Sequence, residues 1–340
     1  MKSHTVPRRL LRQFSYFDAT TKSERLWRYQ KGKPPSPKAS PKTAARVDGH
    51  FENPIDAAQE ALIEQRLANE VEGPVNRLFD GLNDPAFTFT EDRWRPLTRY
   101  ITLLFNRSMA RRNATQHIIS VRNYALQQFL QNDVQLMTVA THWNLDAFFR
   151  GLNFGRLFTP TDVAGAAVRY IAADPTGSSL QESYSQSIIH AMTQFDEAMF
   201  LGEWRRIYTS PDKPFIVSDA PVITWTRNRQ GSLAYGAGFN TQNVEVILPI
   251  SPTTCLHMLP NVRRSESPMV PTVDDVNAAQ AAYATASCFC NIGSQEIDAI
   301  VQSHISTVVL GENVFTVWHM PYQNLVYDIL MGRRLLGRRS

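Results

Sequence analysis

Four side chains suited to acid–base or ligand chemistry lie far apart in this sequence: His4, Glu70, Arg112 and Asp219. Near neutral pH an imidazole can serve as a base or a metal ligand, and a guanidinium can hold a carboxylate or phosphate through paired hydrogen bonds. The two carboxylates, Asp219 and Glu70, are groups that a divalent metal accepts as ligands. These residues form one site only if the fold brings four distant segments together.

Glu70 and Arg112 stand out because each falls on the apolar face of a predicted helix. The first helix is predicted from the Asn-Pro pair at residue 53 to residue 71, and Glu70 lies within its apolar stripe. The second is predicted after Pro96 to about residue 112, and Arg112 lies near the centre of its stripe. Because a buried, unpaired charge is costly, two interpretations stay open. Glu70 pairs with an arginine and holds two helices in register, or the arginine binds an anionic ligand.

Asp219 belongs to a different kind of segment, the end of a predicted strand. Ser218 and Asp219 precede a proline-directed turn within Phe215–Val222. Site residues often lie at strand ends, but an aspartate before a turn also makes ordinary local hydrogen bonds. Both interpretations of Asp219 are retained.

Several well-known catalytic motifs are missing from the sequence. It contains no Gly-x-Ser-x-Gly elbow, phosphate-binding loop, dinucleotide fingerprint or His-Glu-x-x-His helix. The three cysteines form no Cys-x-x-Cys pair and are predicted to be small core residues. These absences argue against Ser-His-Asp hydrolysis, P-loop phosphate binding, Rossmann cofactor binding and zinc-helix proteolysis.

The elements that must position these residues are predicted to form an α+β protein. A small mixed or antiparallel sheet is built from the N-terminal and C-terminal segments, with a large helical middle region. The predicted regions are 1–52, a basic segment that packs on the C-terminal sheet, 53–200, which is helical, and 201–340, which is α+β. Leu10 to Phe14 is predicted as a short strand or turn, and Leu26–Tyr29 as a strand.

Further elements follow from local patterns. Lys31–Lys42 contains four prolines and is predicted to be a mobile surface loop. Residues 203–209 and 215–217 are predicted to pair as a hairpin, as are 244–248 and 254–259. Thr272 with Asp275 predicts a capped helix, and a second helix is expected at 295–303.

The charge of the chain is uneven. The net charge is +4, but residues 1–50 contain 12 lysines and arginines against 3 acidic residues, so the rest of the chain is acidic overall. Clustered cations favour a polyanion, and nucleic acid is therefore a candidate partner of the N-terminal segment. With no apolar run of membrane length and no secretory signal pattern, a cytoplasmic protein without a membrane span is expected.

Three spaced segments resemble a known family. They are His4–Phe14 (HTVPRRLLRQF), Phe215–Val222 (FIVSDAPV) and Leu248–Pro252 (LPISP), and together they resemble the bacterial family of domains of unknown function numbered 4238. The resemblance implies that Glu70 and Arg112 match the family's helical glutamate and arginine, with Glu72 and Arg111 as neighbouring candidates. It departs at Leu10, where an aromatic residue is common. It implies an architecture but no reaction, so function must be argued from the site.

Three functions remain open on this basis. In the first, the polar residues form a buried network that fixes the fold or receives a ligand, and the protein is a binding or regulatory module. In the second, the protein is a metal-dependent phosphodiesterase or nuclease: Asp219 and Glu70 hold a divalent metal, His4 acts as base or ligand, and Arg112 neutralises the phosphate. A hydrolase or transferase for another small molecule is the third. The first two predict that the four side chains converge.

Overall fold

The computed structural model describes residues 2–48, 65–108, 110, 202–227, 232–239, 241–260 and 269–308. All of them belong to one compact unit, which is built from residues 1–113 and 184–310. The predicted helix over 53–71 is described only from residue 65. Most of the predicted helical middle region lies outside the described residues.

A five-stranded antiparallel sheet forms the centre of the described structure. Its strands are β6 (Glu203–Tyr208), β8 (Ile223–Arg227), β9 (Leu233–Tyr235), β10 (Glu245–Ser251) and β11 (Thr254–Leu259), in the order β6-β11-β10-β8-β9. The predicted hairpin of β10 and β11 is confirmed. The predicted pairing of 203–209 with 215–217 is wrong, because β6 pairs with β11 instead.

A second antiparallel sheet joins the two ends of the described chain. It contains β2 (Tyr16–Asp18), β3 (Ser23–Gln30), β12 (Cys288–Cys290) and β7 (Val217–Ser218) in that order, and β4 (Lys33–Ala39) also pairs with β3. A separate antiparallel pair consists of β1 (Lys2–His4) and β5 (Arg46–Asp48). With the helices below, these sheets establish an α+β protein with antiparallel sheets.

The described helices are α1 (Arg8–Gln13), a π-helical segment (Leu67–Glu72), α2 (Gly73–Asn76), α3 (Phe79–Leu82), α4 (Glu91–Asn106), α5 (Val273–Tyr283) and α6 (Gln295–His304). Residues 8–13 are therefore helical and not a strand or turn. The capping box of Thr272 and Asp275 is present, with the two reciprocal bonds at 3.0 and 3.1 Å. Helix α4 begins five residues before Pro96.

The five-stranded sheet is buried on both faces, because successive residues of a strand point to opposite sides. On one side, Val246 and Leu248 of β10 pack in a core with α1, the π-helical segment and α4. On the other side, Ile247 and Trp225 pack against α5. Arg227, Glu245 and His257 lie on this second side, which faces α5.

Most of the segment Lys31–Lys42 is a strand, so the predicted loop is wrong, and its mobility stays a prediction. Residues 33–39 form β4, an edge strand, where prolines are tolerated because one edge needs no ladder hydrogen bonds. Gly32 turns the chain with φ of +67°, and its N–H donates to the Gln302 side chain at 2.8 Å. The Gln302 amide also donates to the carbonyls of Gln30 and Lys33, at 3.0 and 3.3 Å. The side chain of Gln302 thus makes hydrogen bonds to the backbone on both sides of this turn.

We predict that Gln302→Ala loosens this turn and accelerates hydrogen exchange at the Gly32 amide. The free energy of unfolding should fall by only about 1 kcal/mol, because the site is exposed and water replaces part of what is lost. Hydrogen exchange followed by mass spectrometry or NMR measures the first effect. Ser303→Ala removes a neighbouring exposed hydroxyl on α6 and serves as control. Unchanged exchange at Gly32 in the Gln302 variant would contradict this role.

Candidate functional site

Asp219 lies in a closed hydrogen-bonded loop. Its carboxylate accepts bonds from the backbone N–H groups of Thr285, Ala286 and Ser287 and from the Thr285 hydroxyl, at 2.8 to 3.1 Å. Its own N–H donates to the Ser287 carbonyl at 3.0 Å. Asp219 is only 5% exposed. Both carboxylate oxygens are thus occupied by the 285–287 loop.

Burial shapes the charge state of this group. It raises the pKa of Asp219 above its ordinary value, and the four hydrogen bonds only partly offset this effect. No cation pairs with the carboxylate among the described residues. The arrangement is suited to closing a loop.

Helix α5 extends the same polar network along the chain. Ser218 donates its N–H to the side-chain oxygen of Gln280 at 2.8 Å, and Gln280 donates to the Pro221 carbonyl at 2.8 Å. Asn277 accepts from the N–H of Ile216 at 2.9 Å. One turn further, the Tyr283 hydroxyl donates to the Thr224 carbonyl at 2.7 Å. Three side chains spaced by three residues thus satisfy the backbone of an irregular segment, residues 214–224.

Glu70 is exposed, contrary to its predicted place on the apolar face. It forms an i,i+4 ion pair with Arg66 at 2.9 Å, and that pair is open to water. The physical reason is the π-helical segment over residues 67–72, whose wider turns invalidate a phase extrapolated at 100° per residue. The buried residues are Leu67 and Val71, and Glu70 falls between them.

A glutamate–arginine pair does connect two helices, but through other residues. Arg107, just after α4, donates to Glu72 at 2.9 Å, and the arginine side chain is only 1% exposed. This is the type of interaction expected for Glu70. The pair uses Glu72, one of the neighbouring candidates. Its arginine is Arg107, which lies at the margin of the apolar face of the second predicted helix.

The remaining predicted site residues are only partly described. His4 ends β1, where its backbone pairs with Arg46 of β5, and its side chain lies outside the description. Arg112 and Arg111 lie outside the described residues altogether. The convergence of His4, Glu70, Arg112 and Asp219 therefore stays a prediction. Asp219 and Glu70 differ sharply in environment, one closed in a loop and the other in open solvent.

No metal centre is found in the part of the chain that the structure describes. Within those residues no three His, Cys, Asp or Glu side chains are grouped as metal ligands. The proposed ligands Asp219 and Glu70 each have other partners. Their described positions give no support to a shared metal.

A second polar cluster lies at one end of the five-stranded sheet, on the side that faces α5. We call Arg227, Glu245 and His257 the charged row. The Glu245 carboxylate accepts from Nε of Arg227 at 3.2 Å and lies 2.9 Å from Nε2 of His257. Glu245 and His257 are buried, and the Arg227 side chain is 14% exposed. Arg205, directly opposite His257 on β6, is paired with Glu203 at 2.6 Å.

Glu245 contacts both other members of the charged row. Burial alone would raise the pKa of Glu245, but the hydrogen bond to His257 and the charges of His257 and Arg227 lower it below its ordinary value. Because a carboxylate only accepts, Nε2 of His257 carries the proton of this bond. Nδ1 of His257 and Nη2 of Arg227 are buried and have no hydrogen-bond partner in the described structure.

The residues of both networks escaped sequence reasoning, although some signal was available. Asn277, Gln280 and Tyr283 recur every third residue in an alanine-rich helix, which marks a polar line on a buried face. His257 is one polar residue in an apolar strand, and Glu245 begins another. Nothing local indicates that Glu245 and His257 touch, because that contact depends on the β10–β11 register.

These features define an α+β protein with antiparallel sheets, a closed polar network around Asp219, and a charged row at one sheet end. None of the helices in the described ranges has the length and apolar character needed to cross a bilayer. The chain belongs to the family described as protein of unknown function DUF4238, whose model matches residues 2–289. The resemblance seen in the sequence is thereby confirmed. No curated protein and no solved structure matches the chain.

We predict that Asp219→Ala destabilises the protein by about 3 kcal/mol, because each buried donor left without an acceptor costs about 1–3 kcal/mol and water reaches part of this loop. Asp219→Asn keeps one oxygen and should lose about half as much. Urea unfolding followed by circular dichroism measures both values. Asp212→Ala, at an exposed turn, is the control. If Asp219→Ala left stability unchanged, Asp219 would not be a structural group.

We predict that Glu245 stabilises the fold above its ordinary pKa, near 4.5, and that this contribution disappears as the pH falls through its lowered folded-state pKa. The sign follows because the folded state binds the proton less readily than the unfolded state. Glu245→Gln should therefore be less stable than the wild type at pH 7, and the difference should shrink by pH 3.

Urea unfolding at pH 7, 5 and 3 measures this difference. Glu91→Gln, which removes an exposed ion pair with Arg95, is the control and should show little pH-dependent difference. A gap between wild type and Glu245→Gln that is equally large at pH 3 and pH 7 would rule out this role of the Glu245 charge.

Proposed function

We propose that this protein is a ligand-binding module and that the charged row binds a small anionic ligand, such as a carboxylate or phosphate. The observation that carries the proposal is the unpaired Nδ1 of His257, a residue with no exposed surface. Buried polar groups in proteins are nearly always hydrogen-bonded, so an orphan of this kind calls for an explanation. A bound ligand is one such explanation.

Arg227 supports an anion as the complementary group. Its Nε is held by Glu245, and its Nη2 is also buried without a hydrogen-bond partner in the described structure. A guanidinium is permanently charged and donates in a fixed plane, which suits a carboxylate or phosphate. When protonated, His257 presents Nδ1–H as a further donor. Glu245 would hold both groups in position without touching the ligand.

Binding without chemistry is the better-supported interpretation of this cluster. A Glu–His pair can activate a nucleophile, but the nearest candidate on the same strand, Cys255, is buried, and burial raises its pKa far above the ordinary thiol value. Such a thiol does not ionise near neutral pH. The charged row therefore supplies recognition groups without an activated nucleophile.

The described positions of Asp219 and Glu70 do not support the phosphodiesterase or nuclease hypothesis. It needs Asp219 and Glu70 to hold a metal, whereas the oxygens of Asp219 accept bonds from the 285–287 loop and Glu70 is exposed beside Arg66. A hydrolase or transferase for another small molecule has no specific observation in its favour. The binding proposal uses Glu245, His257 and Arg227 instead.

The proposal is tested by thermal-shift screening against mono- and dicarboxylates, inorganic phosphate and sugar phosphates, with calorimetry on any hit. A ligand at a hundredfold excess over its Kd stabilises the folded state by about 2.7 kcal/mol, which raises the melting temperature by several degrees. His257→Gln and Arg227→Lys should each weaken binding at least about tenfold, a loss of about 1.4 kcal/mol.

Arg66→Gln, at an exposed ion pair on a helix, is the matched control and should bind as the wild type does. The melting temperature of each variant without ligand checks that it is folded. If no compound shifts the wild type, or if His257→Gln and Arg227→Lys bind hits unchanged, the assignment to the charged row fails.

A further inference from the structure

A row of exposed cations follows the hairpin made by β3 and β4. Arg28 lies on β3, Lys31 at the turn, and Lys33 and Lys38 on β4, and all four are exposed. None of them forms an ion pair with a described residue. By contrast, nearby Arg12 and Arg25 are paired with acidic side chains, Glu24 and Asp18.

The hairpin holds these cations at fixed positions. β4 is hydrogen-bonded to β3 with the partners Arg28↔Ser36 and Gln30↔Lys33, and Gln302 holds the turn through bonds on both sides of Gly32. Lys33 and Lys38 lie near the two ends of β4. Little backbone entropy is lost when such a preformed surface binds.

Protection of the sheet edge does not account for all four charges. Lysines and prolines on an edge strand prevent other strands from adding to the sheet, and this explains Lys33 and Lys38 on β4. At Arg28, β3 is paired with Ser36 of β4 and with Phe289 of β12. Lys31 is in the turn. Edge protection therefore does not explain these two charges.

We propose that this basic hairpin binds the phosphate backbone of nucleic acid without reading its sequence. Repeated phosphates are the partner that a line of fixed, unpaired cations fits, since each contact releases counterions. A lipid surface fits less well, because stable attachment needs apolar side chains as well as charge. The large apolar side chains exposed among the described residues are Phe17, Tyr208, Met269 and Val270, and none is on this hairpin.

The inference is independent of the charged row, since the two share no residue. The cations of the row are buried and held by Glu245, and those of the hairpin are exposed. Failure of one proposal leaves the other intact.

The test is fluorescence anisotropy of the full chain with a labelled 20-base-pair DNA duplex, titrated between 50 and 200 mM KCl. Four phosphate contacts predict a slope of log K against log salt of about −3.6, since each contributes about −0.9. The triple variant Lys31→Gln, Lys33→Gln, Lys38→Gln should reduce the slope by about 2.7 and weaken binding at least about tenfold at 50 mM KCl.

The matched control is Arg66→Gln, Arg95→Gln, Lys213→Gln, which removes three exposed cations that are already ion-paired. It should retain most of the wild-type affinity and slope. Unchanged melting temperatures show that both triples are folded, and two unrelated duplex sequences should bind equally.

Four results would overturn the proposal. The first two are no binding of the wild type at 50 mM KCl and an equal loss in both triple variants. The third is binding that persists in the hairpin triple, which would place any nucleic-acid site elsewhere on the chain. The fourth is stronger binding to phosphatidylserine-containing vesicles than to the duplex, which would assign the hairpin to a membrane surface.

Discussion

The backbone of residues 214–224 must be hydrogen-bonded although it lies buried with only short stretches of strand. It passes from β7 in one sheet to β8 in the other, and nearly every residue along it is inaccessible to water. An unpaired backbone group in such a place costs as much as a lost hydrogen bond or more. Asn277, Gln280 and Tyr283 of α5 supply the missing partners. The relative placement of the two sheets therefore depends on one polar line along one helix.

Asp219, which belongs to the 214–224 segment, in turn binds the backbone that follows α5. Its carboxylate gathers the N–H groups of residues 285–287, which connect α5 to β12. Helix α5 thus fixes the 214–224 segment, and that segment fixes the chain that leaves α5. The Ser-Asp-x-Pro element of the sequence is explained by this mutual closure without any reaction.

The charged row differs from the Asp219 network because some of its polar atoms have no hydrogen-bond partner in the described structure. Around Asp219 the carboxylate oxygens have their donors. In the charged row, Glu245 holds Arg227 and His257, and Nη2 of Arg227 and Nδ1 of His257 have no partner in the described structure. A saturated network rigidifies a fold, and an unsaturated one is where a ligand can add bonds. The basic hairpin is different again, because its cations are exposed to water.

The sequence by itself determined the elements whose causes are local. The capping box of Thr272 and Asp275, the α6 helix and the β10–β11 hairpin follow from residues that are neighbours in the chain, and so does the α+β class. Family membership also follows, since short motifs in a fixed order are a property of the chain alone.

The tertiary structure decided everything that depends on distant partners. A π-helical segment shifted the phase that placed Glu70 on an apolar face, and Glu72 took the arginine pair instead. Pairing with β3 makes a strand of the proline-rich segment, and Gln302, some 270 residues away, bonds the turn that begins it. The contact of Glu245 with His257 arises from strand register. Periodicity records which way a side chain points along an ideal helix or strand, but only packing decides which donor meets which acceptor.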